Sequence, residues 1–231
     1  MHTAEWLAVV EGLWSERRFS FAGKYYQVED AILEPKPVRQ PRPTVYAGGE
    51  SAAAKALIAR VCDGYLMHGD PPERVATKIT DMQALRDANG LGPMVYGVAG
   101  YVVCRATETA ARREIERITD VRQNAAGYAN YEQWLANTQL EQRVSLEDYS
   151  VSNRGLKAGL TGTPEQIADR IRAFEQAGVD LLLLQFSPQH EEMERFAAEV
   201  MPLVGGGGAL TPPARRGNLA GQDLTLGTTY S

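Results

Sequence analysis

The sequence predicts an α/β fold, the C-terminal portion of a TIM (β/α)8 barrel. Three observations predict it. Short β-branched and aromatic runs alternate with helical patterns along the chain. The best of these runs, Leu181–Leu184, is continuously apolar, as expected of a parallel strand covered on both faces. Four such strands occupy most of the 231 residues, whereas a closed barrel uses eight strands and about 250 residues. Because the chain opens on a helical pattern with no strand before it, it reads as the second half of a barrel, N-terminally truncated.

The elements follow in order. "TAEWLAVVEGLW" places Trp6, Val9, Val10, Leu13 and Trp14 on one helical face. "FSFAGKYYQVEDAILEPKPVRQPRP" alternates around Tyr25 and Val28 and then runs into prolines, so it predicts an extended excursion with a hairpin. "TVYAGGESAAAKALIAR" is a strand, two glycines and an alanine-rich helix entered through Ser51, a favoured N-cap. "GYLMHG" is the next strand, and "DPPERVATKITDMQALRDANG" its helix. There Asp70 is expected as N-cap, Pro71 at the first helical position and Glu73 as the partner of a capping box, with Val75, Ile79, Met82 and Leu85 buried and Gly90 at the end. "MVYGVAGYVVCR" and "ETAARREIERI" form the third unit. In the fourth the helix precedes the strand: Thr163, Pro164 and Gln166 open it, Ile167, Ile171 and Phe174 form its stripe, and Gly178 closes it before Leu181–Leu184. The long polar stretch between the third and fourth units ends in "SVSNRGLKAG", which reads as a loop of the lid type. Residues 1–204 are expected to form one domain. Residues 205–231, with four glycines in a row and no apolar periodicity, are expected to be a disordered tail.

Composition narrows the function. With 44% apolar and 23% charged residues and a net charge of −5, the chain is ordinary for a soluble globular protein. No basic stripe argues for a nucleic-acid or membrane partner. Cys62 and Cys104 lie far apart in apolar contexts, which predicts buried free thiols in a reducing compartment. "HTAEWLAVVEGLW" lacks a basic leader and a cleavage site, so a cytoplasmic location is expected. No His/Cys/Asp cluster has metal-ligand spacing, so no metal is expected, and no Ser–His–Asp arrangement stands out. The turn at Gly48, Gly49, Glu50 and Ser51 suits an anion at a helix N-terminus, and equally suits a plain capped turn.

Several long blocks settle the balance by resemblance: "GKYYQVEDAILEPKPVRQPRPTVYAGGESAAAKALIARVCDGYLMHGDPPERVATKI", "YGVAGYVV", "AAGYANYEQWLANTQLEQ", "VSLEDYSVSNRGL" and "GTPEQIADRI" with "AGVDLLLLQFSPQHEEMERF". From about Thr3 to Met201 the chain resembles the bacterial luciferase-like flavin monooxygenases, above all their reduced-FMN-dependent members that oxidise dimethyl sulfone, relatives of the alkanesulfonate enzymes. Members of that family begin with roughly another third of chain, carrying the first barrel strands and much of the flavin pocket. The resemblance implies a two-component system: an NAD(P)H-dependent flavin reductase supplies reduced FMN, O2 is the co-substrate, and a small organosulfur compound is cleaved at a C–S bond. It also implies a homo-oligomer in the full-length form. The alternatives are a catalytically silent half-barrel and an alkanesulfonate monooxygenase.

The resemblance makes Gly48, Gly49, Glu50 and Ser51 candidates for the FMN phosphate, with the Glu50 carboxylate pointing away from it. Arg154 matches the arginine of the mobile loop in the alkanesulfonate enzymes and would neutralise phosphate or an oxyanion; otherwise it is a solvated loop charge. Where those enzymes carry an Arg-x-His pattern, this chain has Ala99-Gly100-Tyr101, and a Tyr-Pro becomes Ser187-Pro188. A neutral sulfone needs hydrogen-bond donors such as the Tyr101 hydroxyl, not cations; a buried core aromatic is nearly as good a reading. His68, ending its strand, is expected either to donate to substrate or flavin or to cap the adjacent helix. Glu191, Glu192 and Glu194 read as a solvated helix face.

Overall fold

The computed structural model describes residues 2–40, 42–120, 133–137 and 155–205. Its centre is a four-stranded parallel sheet in the order β3(Tyr46–Gly48), β4(Gly64–Met67), β5(Val95–Tyr101), β8(Leu181–Gln185). Neighbouring pairs are in simple register: Gly48 lies opposite Leu66, Met67 opposite Val98, and Ala99 opposite Leu183. Chain order and spatial order agree, as they do along a run of successive β/α units.

The helices lie on one face of this sheet. α2(Ala52–Val61) contributes Ile58 and Ala59, α3(Pro72–Ala88) Val75 and Met82, and α5(Pro164–Gln176) Ile167, Ala168 and Phe174. They pack with Tyr65, Met67, Tyr96 and Val98, the strand residues that point the same way by the period-2 rule. α5 is closed at both ends by its own sequence. The Thr163 side chain accepts from the Gln166 amide while the Gln166 side chain accepts from the Thr163 amide. At the far end Gly178 (φ 91°) donates to Glu175 and Val179 to Phe174, a Schellman cap. α4(Glu108–Thr119) is capped by Thr107 and covers a smaller cluster of Tyr101, Val103, Ala111 and Leu156.

β5 does not stop cleanly. Val102 donates to the Gln185 carbonyl, and the chain then continues as β6(Val103–Cys104), which pairs in parallel with β7(Thr161–Gly162). One extended stretch therefore leaves β8 and joins the segment that leads into α5.

At the amino ends of the strands, α1(His2–Ser15) and the antiparallel hairpin of β1(Phe19–Ala22) and β2(Gln27–Ala31) are tied on by charge. The Glu5 carboxylate accepts the amides of Lys24, Tyr25 and Tyr26 at 3.0, 2.8 and 3.2 Å. Arg42 reaches Glu11 at 2.7 Å and Asp63 at 2.5 Å, and Asp63 also accepts the Val45 amide that leads into β3. α6(Gln189–Arg195) continues through a π-helical turn, Phe196–Val200, and a 3-10 turn, Met201–Leu203.

Four expectations fail in detail. Trp6 is exposed while Leu7 is buried, because the Glu5 and Glu11 attachments set the rotation of α1. α3 starts one residue late: Pro71 is the N-cap and makes no side-chain cap bond, since Asp70 is drawn to Lys78 instead. Leu181 and Leu183 are exposed, so β8 is covered on its helix side alone among the described residues. Glu192 is buried against Arg105 at 2.8 Å and does not belong to a solvated face. The polar segment after α4 and the tail after Gly205 fall mostly outside the described residues.

Candidate functional site

The sheet brings the candidate residues to the carboxyl ends of adjacent parallel strands, where barrels bind their ligands. Gly48 ends β3, His68 follows β4, and Tyr101 ends β5. The loop after β3 is the best defined of these positions. At Gly49 a Cβ would stand 2.7 Å from the Ala54 Cβ, so a side chain there would collide with the first turn of α2. The Tyr65 hydroxyl donates to the Gly49 carbonyl at 3.0 Å. In a trans peptide this turns the Glu50 amide to the opposite side, away from Tyr65.

Ser51 caps α2 as expected, with φ −65° and ψ 149°, its Oγ accepting from the Ala54 amide at 3.2 Å. Lys55 donates to the Ser51 carbonyl. The amides of Ala52 and Ala53 have no acceptor among the described residues and point out of the helix start. Glycine backbone, a hydroxyl and free first-turn amides at the positive end of a helix dipole form a donor set for a phosphate dianion. FMN carries such a group, and these residues fit it.

The one anion in the loop is paired. The Glu50 carboxylate accepts from Lys78 Nζ at 2.9 Å, and the same ammonium donates to Asp70 at 2.7 Å. Lys78 is largely buried. Burial pulls its ammonium downward, but the Asp70 and Glu50 carboxylates outweigh that and hold it above its ordinary value. Lys78 did not stand out in the sequence and Asp70 did so only as an N-cap, because the fold joins Lys78 to residues 28 and 8 positions away.

His68 is exposed and has no hydrogen bond to α3, so of its two expected roles the helix cap is absent. By alternation it lies on the same side of the sheet as Leu66, opposite the helices. Tyr101 is 7% exposed and packs with Val103, Ala111 and Leu156 beneath α4, the environment of a core aromatic.

Arg154 lies outside the described residues, as does the rest of its loop before Gly155. Gly155 itself sits over the end of β5. Its carbonyl accepts the Tyr101 amide at 3.2 Å, and a Cβ on it would meet the Gly100 Cα at 3.0 Å. With φ 72° in addition, only glycine suits this position. A Cβ on Gly69, after His68, would stand 2.8 Å from the Gly155 Cα.

Among the described residues no group of His, Cys, Asp or Glu could hold a metal ion, and no helix is long and apolar enough to cross a membrane. A cleft of about 560 Å3 lies elsewhere, between α4 and α5, lined by Arg112, Gln166, Asp169 and Arg170 among others. It is open and charged, and it touches none of the candidate positions.

Comparison with known proteins gives the family and the fold. The profile of the luciferase-like monooxygenase family matches residues 2–181. An FMNH(2)-dependent dimethylsulfone monooxygenase of Pseudomonas putida is 35% identical over 214 residues, covering 87% of this chain and 57% of that protein. The chain thus spans little more than half the length of that relative. Among solved structures, a riboflavin lyase, RcaE, crystallised with modified FMN and riboflavin, superposes with a TM-score of 0.67 at 19% identity, over 87% of this chain and 56% of its own. DmoA from Hyphomicrobium sulfonivorans gives a TM-score of 0.67 at 17% identity, over 87% and 54%. These two likenesses establish the fold.

Proposed function

This chain belongs to the luciferase-like monooxygenase family, and on that premise we propose that the protein carrying it is a reduced-FMN-dependent monooxygenase that oxygenates dimethyl sulfone. The observation that carries the reading is the 35% identity over 87% of the chain to an enzyme of that name. The loop at Gly48–Ser51, whose Ser51 cap opens α2 at the carboxyl edge of a parallel sheet, is consistent with a phosphate there and supports the reading.

When bound, reduced FMN supplies two electrons and the ring on which O2 is activated. This chain's residues hold and orient it. The Ser51 hydroxyl and the free amides of α2 take the phosphate, and Arg154, assigned by resemblance, adds a fixed positive charge. Exposed His68 is the hydrogen-bond donor at the end of the next strand, while Tyr101, packed beneath α4, closes the end of β5 as a core aromatic. Ala99 and Tyr101 bring no cation to the strand, which suits a neutral sulfone over an anionic sulfonate. The reaction balances as dimethyl sulfone plus FMNH2 plus O2 giving methanesulfinic acid, formaldehyde, FMN and water: one oxygen atom enters a methyl group, the C–S bond breaks, and the other oxygen leaves as water. A separate NAD(P)H-dependent flavin reductase supplies the reduced flavin, and the cytoplasm, where NAD(P)H is available, is the compartment.

The test is a coupled assay of the protein carrying this chain, with a flavin reductase and NAD(P)H. Formaldehyde from dimethyl sulfone, without sulfite from methanesulfonate, is the expected result. Sulfite released at a comparable rate would overturn the substrate assignment.

A further inference from the structure

We propose that Lys78 is a positioning residue for the flavin phosphate: it clamps the loop after β3 to the loop after β4 and holds the Glu50 carboxylate off the amino end of α2. The inference rests on the phosphate reading above and adds a residue that the family likeness does not assign. Glu50 directly precedes the N-cap Ser51. A glutamate side chain at that position is long enough to reach the first-turn amides of Ala52 and Ala53, which have no acceptor among the described residues and are the groups a phosphate would use. Left unrestrained, it is an internal competitor, satisfying the helix dipole itself and repelling an incoming dianion.

Lys78 removes that competitor. Its Nζ lies 2.9 Å from Glu50 Oε1 and 2.7 Å from Asp70 Oδ2, and the side chains of Lys78, Glu50 and Asp70 are only 15, 23 and 13% exposed. Solvent-exposed ion pairs contribute little, but this one is largely sheltered and has two carboxylates on one ammonium. Asp70 matters because it fixes the lysine from the second loop, two residues beyond His68; Arg74, 3.9 Å from Asp70, brings the cluster to charge balance. Two loops at the carboxyl ends of β3 and β4 are thereby held at one spacing by one side chain from α3.

The full chain is titrated with FMN, with riboflavin, which lacks the phosphate, and with inorganic phosphate as competitor. Lys78→Met is expected to weaken FMN binding about tenfold, the effect of a freed Glu50 carboxylate competing for the first-turn amides. It should leave riboflavin binding unchanged. Adding Glu50→Gln in the same chain is expected to restore FMN affinity, because the freed carboxylate is gone. Lys78→Arg, which keeps the charge, stays within about threefold of the parent. A role confined to stability would not be rescued by Glu50→Gln, so a Lys78→Met chain that binds FMN normally, or whose loss persists in the double variant, overturns the proposal. Should Lys78→Met fail to fold by circular dichroism, Glu50→Gln alone decides: FMN binding as tight as the parent's or tighter supports the role, and weaker binding overturns it. Ser51→Ala separates the two levels of inference. If phosphate does not compete with FMN and Ser51→Ala binds FMN as the parent does, the phosphate site itself falls, and Lys78 with it.

Discussion

On the helix side of the sheet Tyr65, Met67, Tyr96 and Val98, on the two central strands, are 1, 4, 6 and 0% exposed; on the other side of the same sheet Tyr46, Leu181 and Leu183, on its two outer strands, are 39, 36 and 40% exposed. Both sets are apolar. The difference lies in their neighbours: α2, α3 and α5 cover the first face, and no described residue covers the second to the same extent. Side-chain chemistry alone therefore says that both faces of β8 suit an apolar environment, while burial on each face is decided by what packs there. The candidate loops at Gly48–Ser51 and His68 stand at the end of this two-faced sheet. Their helix side is packed by α2 and α3, and their open side adjoins the apolar surface of Leu66 and Leu183.

The covered face should be the stability core, and Phe174→Ala is the change that breaks it hardest. The ring is 1% exposed, on the stripe of α5 that meets the sheet. Its removal is expected to cost about 3–5 kcal/mol, transfer plus cavity. Urea unfolding of the two chains reads this directly; a loss below about 1 kcal/mol would mean that α5 does not pack as described.

A second consequence of that burial is a dependence on alkaline pH. Cys62 and Cys104 both lie in the covered core. Burial, with Asp63 near the first and Glu199 near the second, pushes each thiol from 9.0 to about 11. The native state binds these protons more tightly than the unfolded chain does. The stability this contributes is full below pH 9.0 and is lost as pH rises through about 11. Unfolding free energy is expected to fall across that window, and less so in a Cys62→Ala, Cys104→Ala chain. A thiol reagent at neutral pH should label neither cysteine until denaturant is added. Rapid labelling of the native chain would show that the face is open to solvent.

Much of this architecture was legible because local chemistry determined it. The capping box at Thr163, the Gly178 cap, the Ser51 N-cap and the stripe of Val75 and Met82 all depend on residues within a turn or two of one another. The failures involve partners distant in sequence. Asp70 has the sequence context of an N-cap, yet Lys78 outbids the α3 amides for its carboxylate. Glu192 sits in a run of acids that looks solvated until Arg105, 87 residues away, is packed beside it. For the site, the Gly-Gly-Glu-Ser turn could be placed at a strand end from its own residues. Its internal wiring through Tyr65 and Lys78 could not, since neither residue carries a local signal.

The smallest effect expected is also the sharpest test of the comparison, because it uses adjacent leucines of one strand. Leu182 packs against the covered core, and Leu183, directly opposite Ala99, points to the open side. Leu182→Gln buries a carboxamide with no partner and is expected to destabilise by about 2 kcal/mol or more. Leu183→Gln leaves the carboxamide in water, removes some exposed apolar surface, and should change stability by less than about 0.5 kcal/mol. The two substitutions are identical in chemistry and one residue apart, so propensity and side-chain entropy largely cancel between them, leaving the face as the variable. If urea unfolding finds the two variants equally destabilised, the side of Leu183 is as well covered in solution as the side of Leu182, and the sheet has no open face. If Leu183→Gln is neutral, the surface beside Gly48 and His68 is free to take an apolar ring against it.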